Sequence, residues 1–203
     1  MNREANISDQ EDVNIRLWIN FKAGDADAFG QLAQVHYRAL FNYGTRFSTD
    51  SDFVKDCIQE LYLELWERRT FLSETSFVKS YLLKALRHKL IKESIRLKRF
   101  HESPDMAFGS DAACPPFEAD IIDSENLSGI LRKLNQIISC LTKRQQEIIY
   151  LRFYQSLDNE DIAKIMGLGK RSVANLLYRT IREIKETWIP VELCLILFLS
   201  VCQ

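Results

Sequence analysis

Arg171, Asn175, Arg179 and Arg182 recur at i, i+4, i+8 and i+11 near the C-terminal end of the chain. At the α-helical period this spacing sets them along one face. Guanidinium forks and the Asn amide match base edges in the major groove, and Arg also binds phosphate oxygens. A second basic row, Lys84, His88, Lys92 and Arg96, repeats every four residues, with Arg99 close to the same line. Such a row suits the backbone of a nucleic-acid strand. Phe77 and Tyr81 stand at its head. Their rings have faces for stacking on bases, but they read better as core. A third group, Asp56, Gln59, Leu63 and Glu67, forms a mixed polar and apolar face opposite Val54, Ile58, Leu61 and Leu65.

Catalytic chemistry has no comparable footing. His36, His88 and His101 belong to no Ser, Cys or carboxylate constellation, and the chain has no Gly-rich phosphate loop. No catalytic residue, cofactor or small-molecule substrate is expected. The five cysteines, Cys57, Cys114, Cys140, Cys194 and Cys202, form no CxxC pair. No metal site is therefore expected, and their odd number argues against a disulfide framework. Reduced thiols in a cytoplasmic protein fit this usage. The N-terminus is polar and acidic, without a signal peptide, and the apolar run from Leu193 to Cys202 is too short to span a bilayer.

Charge divides the chain. The net value of −1 hides residues 84–99, with seven Lys or Arg against Glu93, and residues 102–125, with seven Asp or Glu and no base. The order basic, acidic, basic makes net charge a poor guide to the partner. Few glycines and prolines and long apolar-periodic segments predict an all-α chain. After a flexible N-terminus over 1–12, a first helical domain covers 13–101. Its helices begin at Val13, after Asp25 or Asp27, within "STDSD", and near Ser76, and a break falls at about Thr70 to Thr75. Residues 102–125 carry three of the four prolines and read as an acidic flexible linker. A second small domain covers 126–188, with Thr142 as N-cap and Gln145 as its capping-box partner. An apolar tail, 189–203, closes the chain. Pro190 should end one helix or start another there.

Within the second domain, "LDNEDIAKIMGLGKRSVANLLYRTIREI" gives a short helix, a corner and a longer helix. Asp158 or Asn159 can cap the first, with Ile162, Ala163 and Ile165 on its buried side. Ala163 is small enough for close helix approach, and Gly167 suits a left-handed C-terminal position. Leu168 fills the angle. In the second helix Val173, Leu177, Ile181 and Ile184 face inward, which turns the Arg and Asn row outward. The arrangement is a helix-turn-helix, whose second helix reads DNA.

The chain as a whole resembles the extracytoplasmic-function (ECF) sigma factors of the sigma-70 family, over roughly residues 14–187, with a Bacteroidetes-like flavour. "GDADAFGQLAQVHYRALFNYGTRF", "VKDCIQELYLELWERR" and "FVKSYLLKALRHKLIKESIR" are similar to sigma region 2. "LTKRQQEIIYLRFYQSLDNEDIAKIMG" and the helix after it are similar to region 4. The pattern of Asp56, Gln59, Glu60 and Trp66 is fairly specific. The resemblance implies a non-enzymatic protein that binds core RNA polymerase and directs it to promoter DNA. Asp56, Gln59, Glu60 and Leu63 would contact the polymerase. Lys84, Arg87, His88, Lys92 and Arg96 would meet the −10 element. Lys170, Arg171, Ser172, Asn175, Arg179 and Arg182 would meet the −35 element. In this family the loop between the region 2 helices, here about Arg68 to Thr75, captures a flipped-out base. An anti-sigma factor is implied as a further partner, and an obligate homo-oligomer is not. His88 and Lys92 stand where many members have Asn and Asp, and Gly169, Ala174 and Leu176 also depart from the family pattern. These departures bear on the promoter sequence.

A one-component helix-turn-helix regulator is the alternative, and it would call for a ligand pocket and homodimerisation. The linker's carboxylates would mimic nucleic-acid phosphates in a polymerase channel; as a plain spacer they would carry no such role. The tail has no polar face at helical spacing, so packing on region 4 or docking to an anti-sigma partner is expected ahead of membrane contact.

Overall fold

The structure, a computed structural model, describes the backbone of residues 2–100 and 125–201, with side chains over 12–97, 129 and 132–188. All its regular elements in that range are helical. They group into two compact units, α1 to α4 and α5 to α8. The expected linker and the side chains of the apolar tail lie outside the described residues.

The first unit contains α1 (Asn2–Lys22), α2 (Ala26–Gly44), α3 (Ser51–Glu67) and α4 (Val78–Phe100), with a 3-10 turn at Arg69–Phe71 between the last two. Helical backbone begins at Asn2, well ahead of the apolar pattern that starts at Val13. Local chemistry sets the helix starts. Asp25 accepts from the amides of Asp27 and Ala28, and Asp50 from those of Asp52 and Phe53. Gly24, at φ 100°, makes the turn before Asp25. The stripe Val54, Ile58, Leu61 and Leu65 is buried, as are Leu82, Leu83, Leu86 and Leu90 of α4 and Leu32, Leu40 and Tyr43 of α2, the two helices on which α3 packs. Burying each such side chain is worth about 1.5 to 3 kcal/mol. Gly44 has a packing reason: a Cβ there would stand 2.5 Å from Cγ1 of Val54, so the end of α2 lies directly on the start of α3.

The second unit contains α5 (Glu125–Cys140), α6 (Lys143–Ile149), α7 (Asn159–Met166) and α8 (Lys170–Val201). The capping box at α6 is present: Gln145 Oε1 accepts from the Thr142 amide at 2.9 Å, and Thr142 Oγ1 from the Gln145 amide. Buried Gln146 closes the α5–α6 corner by donating to the Leu141 carbonyl at 2.9 Å.

Two expectations change. "TKRQQEIIYLRF" does not stay α-helical to its end, because Tyr150–Tyr154 widens into a π-helical segment. The Gln155 amide reaches the Tyr150 carbonyl at 3.1 Å, and the Gln155 side-chain amide reaches the Tyr150 hydroxyl at 2.6 Å. That wide turn buries Tyr150 and Leu151 and leaves Phe153 and Tyr154 exposed. Pro190, in turn, does not break α8, whose backbone is helical from Lys170 to Val201. Proline removes one i→i−4 bond and crowds the carbonyl one turn back. The helical backbone here runs on through that defect.

Candidate functional site

In the second unit, α7 begins at Asp158, whose carboxylate accepts from the Glu160 and Asp161 amides, and ends at Gly167 with φ 65° and ψ 40°. The Leu168 amide bonds back to the Ala163 carbonyl at 3.0 Å, which fixes the corner before α8. Ile162, Ala163, Ile165 and Met166 are buried, and so are Val173 and Leu177 of α8. Thr180, which the apolar pattern passed over, is fully buried and satisfies its hydroxyl on the Leu176 carbonyl at 2.8 Å. Ile181 and Ile184 are half-buried.

These inward residues place Arg171, Ser172, Asn175 and Arg179 in solvent on the other side of the same helix. Lys170 is 3.6 Å from Glu160 and Arg182 is 3.3 Å from Glu186, both exposed pairs that exchange easily for a phosphate. The expected recognition row is thus continuous and accessible. Gln145 ties α6 to α8 through Glu183 at 2.6 Å.

In the first unit, Lys84, His88, Lys92 and Arg96 are exposed along α4, while Arg87 is half-buried. Arg96 pairs with Glu93 at 2.9 Å. Phe77 is 51 % exposed, against its reading as core. It precedes α4, where its amide bonds to Thr75 Oγ1 at 3.1 Å. Tyr81 is half-buried, 5.1 Å edge-on from Trp18, and burial raises the pKa of its phenol.

Asp56, Gln59, Glu60 and Leu63 are exposed on α3, with Leu63 64 % exposed. Gln59 and Leu63 border an apolar groove of about 530 Å³ lined also by Ala26, Phe29, Tyr62 and Trp66. The floor is an aromatic cluster: Phe29 lies 4.8 Å from Phe21, 5.3 Å from Trp66 and 5.9 Å from Tyr62. Trp66 packs on one side into this cluster and borders the groove as well. Tyr62 donates to the Ala33 carbonyl at 3.2 Å, and burial raises its pKa.

Glu60 plays a second part inside the unit. Its carboxylate is 3.0 Å from Lys89 of α4, and Glu64 is 2.6 Å from the same ammonium, which is 9 % exposed. Burial works to lower the Lys89 pKa, but the hydrogen bonds to Glu64 and Glu60 hold it above its ordinary value. Burial, with the Glu60 carboxylate adding to it, pushes the neighbouring Cys57 thiol up to about 11, so it stays protonated. The Lys89 hub and the groove escaped the sequence reading. Glu60 and Glu64 one helical turn apart opposite a Lys between Leu86 and Leu90 carried the signal for the first; the second needs α2 and α3 side by side.

Among the described residues no group of His, Cys, Asp and Glu is placed to hold a metal ion, and no helix is long and apolar enough to cross a membrane.

Comparison with known proteins agrees with this geometry. Residues 131–184 match the family described as sigma-70, region 4. The chain is 24 % identical over 168 residues to the RNA polymerase sigma factor NccH of Alcaligenes xylosoxydans xylosoxydans, covering 77 % of this chain and 84 % of that protein. It is 20 % identical over 162 residues to the ECF RNA polymerase sigma factor SigK of a Mycobacterium species, strain KMS, covering 80 % and 83 %. Its fold is similar to that of the sigma factor RpoE of Bartonella quintana, solved with the anti-sigma factor NepR, with TM-score 0.60, 21 % identity, and coverage of 79 % and 96 %. It is likewise similar to CnrH, solved with the cytosolic domain of CnrY, with TM-score 0.58, 18 % identity, and coverage of 88 % and 98 %. Residues 131–184 thus match sigma-70 region 4 on the chain's own helix-turn-helix, and over most of its length the chain is similar to sigma factors of the ECF type.

Proposed function

We propose that the chain binds core RNA polymerase and directs it to promoters, without catalytic activity of its own. The polymerase docks on α3 through Asp56, Gln59 and Leu63 and on the groove beside them. The α4 row meets the −10 element, and α8 meets the −35 element. A sigma factor works on the chromosome, which puts it in the cytoplasm. The observation that carries this reading is the division of α8: Val173, Leu177 and Thr180 are buried while Arg171, Asn175 and Arg179 are exposed, behind a left-handed corner at Gly167. A helix fixed so by its apolar side offers its donors at defined positions to the major groove.

An anti-sigma factor is the natural regulator, since RpoE of Bartonella quintana is held by one. The apolar groove on α2 and α3 offers such a partner the surface that the polymerase needs.

In vitro transcription tests the reading. Core polymerase and the purified chain should together give promoter-specific transcripts from a library of upstream regions of its own genome. Core that is active with another sigma factor, yet gives no specific transcript with this chain, would refute it.

A further inference from the structure

Glu60 of α3 stands one helical turn after Asp56, one before Glu64, and three residues from Leu63. That spacing puts it within the exposed face of α3. Its carboxylate Oε2 is also 3.0 Å from Lys89 Nζ of α4, yet 52 % of the Glu60 side chain stays exposed. Lys89 approaches from within the unit: it is buried, and so are Leu86 and Leu90 near it on α4. Cys57 marks the same seam between the two helices. Burial raises its thiol pKa first of all, the Glu60 charge adds to this, and the Lys89 charge opposes it.

A glutamate on an open helix face turns among several rotamers, and a partner that binds it must first order it. Lys89 removes much of that freedom beforehand, because a buried ammonium holds one oxygen of the carboxylate in place. The ammonium must keep a counter-charge when Glu60 meets a partner, since a bare buried cation is strongly unfavourable. Glu64 supplies it, with Oε1 at 2.6 Å from the same nitrogen. One ammonium cannot balance two carboxylates, so the group keeps excess negative charge, and exposed Asp56 and Glu67 add to it on the same helix. A cationic side chain is the partner that such a carboxylate suits.

We propose that Lys89 is a positioning residue for polymerase binding: from the seam between α3 and α4 it holds the Glu60 carboxylate ready for a cationic side chain of the polymerase, while Glu64 keeps the ammonium neutralised. The inference rests on the reading above that α3 carries the polymerase contact. It adds the buried α4 residue that prepares that contact and the chemistry of the group that Glu60 meets.

The test is equilibrium binding of the full chain to core RNA polymerase. Lys89→Met keeps the apolar stem and loses the charge, and should weaken core binding about fivefold, the scale of one side chain left to be ordered on docking. Lys89→Arg keeps the charge and should restore most of the affinity. Glu60→Gln should weaken binding at least as much as Lys89→Met, and adding Lys89→Met to it should cost nothing further. Ile58→Val, a buried truncation that changes no charge, lowers stability by a similar amount and should bind core as the parent does. Lys89→Gln takes the place of Lys89→Met if that variant fails to fold. Parental affinity of the Lys89 variant, full additivity with Glu60→Gln, or an equal loss with Ile58→Val would each overturn the inference. So would parental binding by Glu60→Gln alongside weakened Asp56→Lys and Leu63→Asp. Parental binding by all three of those α3 variants would instead overturn the underlying reading.

Discussion

Lys89 Nζ of α4 lies 2.6 Å from Glu64 Oε1 of α3, a buried ammonium meeting a carboxylate that is itself half in solvent. Glu60 reaches the same nitrogen at 3.0 Å from one helical turn away. The three charges are therefore unequal partners. Either carboxylate can be neutralised while the ammonium keeps the other, but removing both leaves a buried cation with no counter-charge.

This asymmetry gives a non-additive prediction. Glu60→Gln and Glu64→Gln should each lower stability by about 0.5 kcal/mol, as exposed ion pairs do. The double substitution should cost about 2 kcal/mol or more. That figure is below the 3 to 5 kcal/mol for breaking a wholly buried pair, because solvent reaches the carboxylate side. Lys89→Met should cost about 1 kcal/mol, since the freed carboxylates can hydrate. Denaturant unfolding followed by tryptophan fluorescence measures all four. A double variant no worse than the sum of the singles would remove the hub from the account.

His36 predicts acid sensitivity. It is 4 % exposed in α2, its Nε2 has no hydrogen-bond partner, and burial, with the Lys79 charge adding to it, lowers its pKa to about 4. The unfolded chain, with an ordinary histidine near pKa 6.5, binds more protons than the folded one between those values. The contribution of neutral His36 is thus complete above about pH 6.5 and is lost as pH falls towards 4. Over that window the loss is at most about 3 kcal/mol. His36→Leu should flatten the pH dependence of the denaturant midpoint between pH 5 and 7.5. A slope equal to that of the parent chain would show that His36 takes no part.

Much of this architecture could be read residue by residue, and what could not follows a physical division. Caps are local chemistry acting within four residues, so sequence alone reveals the Thr142–Gln145 box and narrows the others to neighbouring candidates, among which the structure selects Asp25, Asp50 and Asp158. The stripe on α3 and the exposed row on α8 follow from one period. Lys89 is different, because its meaning depends on which face of α3 lies opposite. The same holds for Gly44, set by Val54, and for the Ser73 carbonyl, met by the indole N–H of Trp18 from 55 residues before it. The π-helical segment at Tyr150–Tyr154 depends on the Gln155 side chain reaching back to Tyr150, which no periodic pattern encodes.

Recognition by α8 should fail through alanine at the outward positions. Arg171, Asn175 and Arg179 are exposed and lie opposite Val173 and Leu177, so their removal leaves the corner and the core intact. Each base-contacting Arg should be worth about 1 to 3 kcal/mol of affinity for the upstream element and should relax choice at its own position. An Arg that binds only phosphate should weaken every sequence alike and reduce the salt dependence. Binding to promoter fragments across a salt series separates these outcomes. Three alanine variants with parental affinity, specificity and salt slope would exclude this face.

The polymerase surface is tested best at Leu63. Its side chain is 64 % exposed at the mouth of a groove of about 530 Å³, above rings of Phe29, Tyr62 and Trp66 that already pack on one another. A partner side chain entering the groove would complete an apolar contact that Leu63 now leaves open. Covering Leu63 should contribute about 1.5 kcal/mol, which is close to tenfold in affinity. Leu63→Asp would instead place a carboxylate at that mouth, which must lose water on docking. Core affinity should therefore fall by more than tenfold, while circular dichroism and melting stay as they were, because Leu63 supports nothing beneath it. Asp56→Lys, on the same exposed face, should also weaken binding, and more at low salt than at high salt, as a surface charge does. If both variants bind core polymerase as tightly as the parent chain at every salt concentration, α3 does not carry the contact.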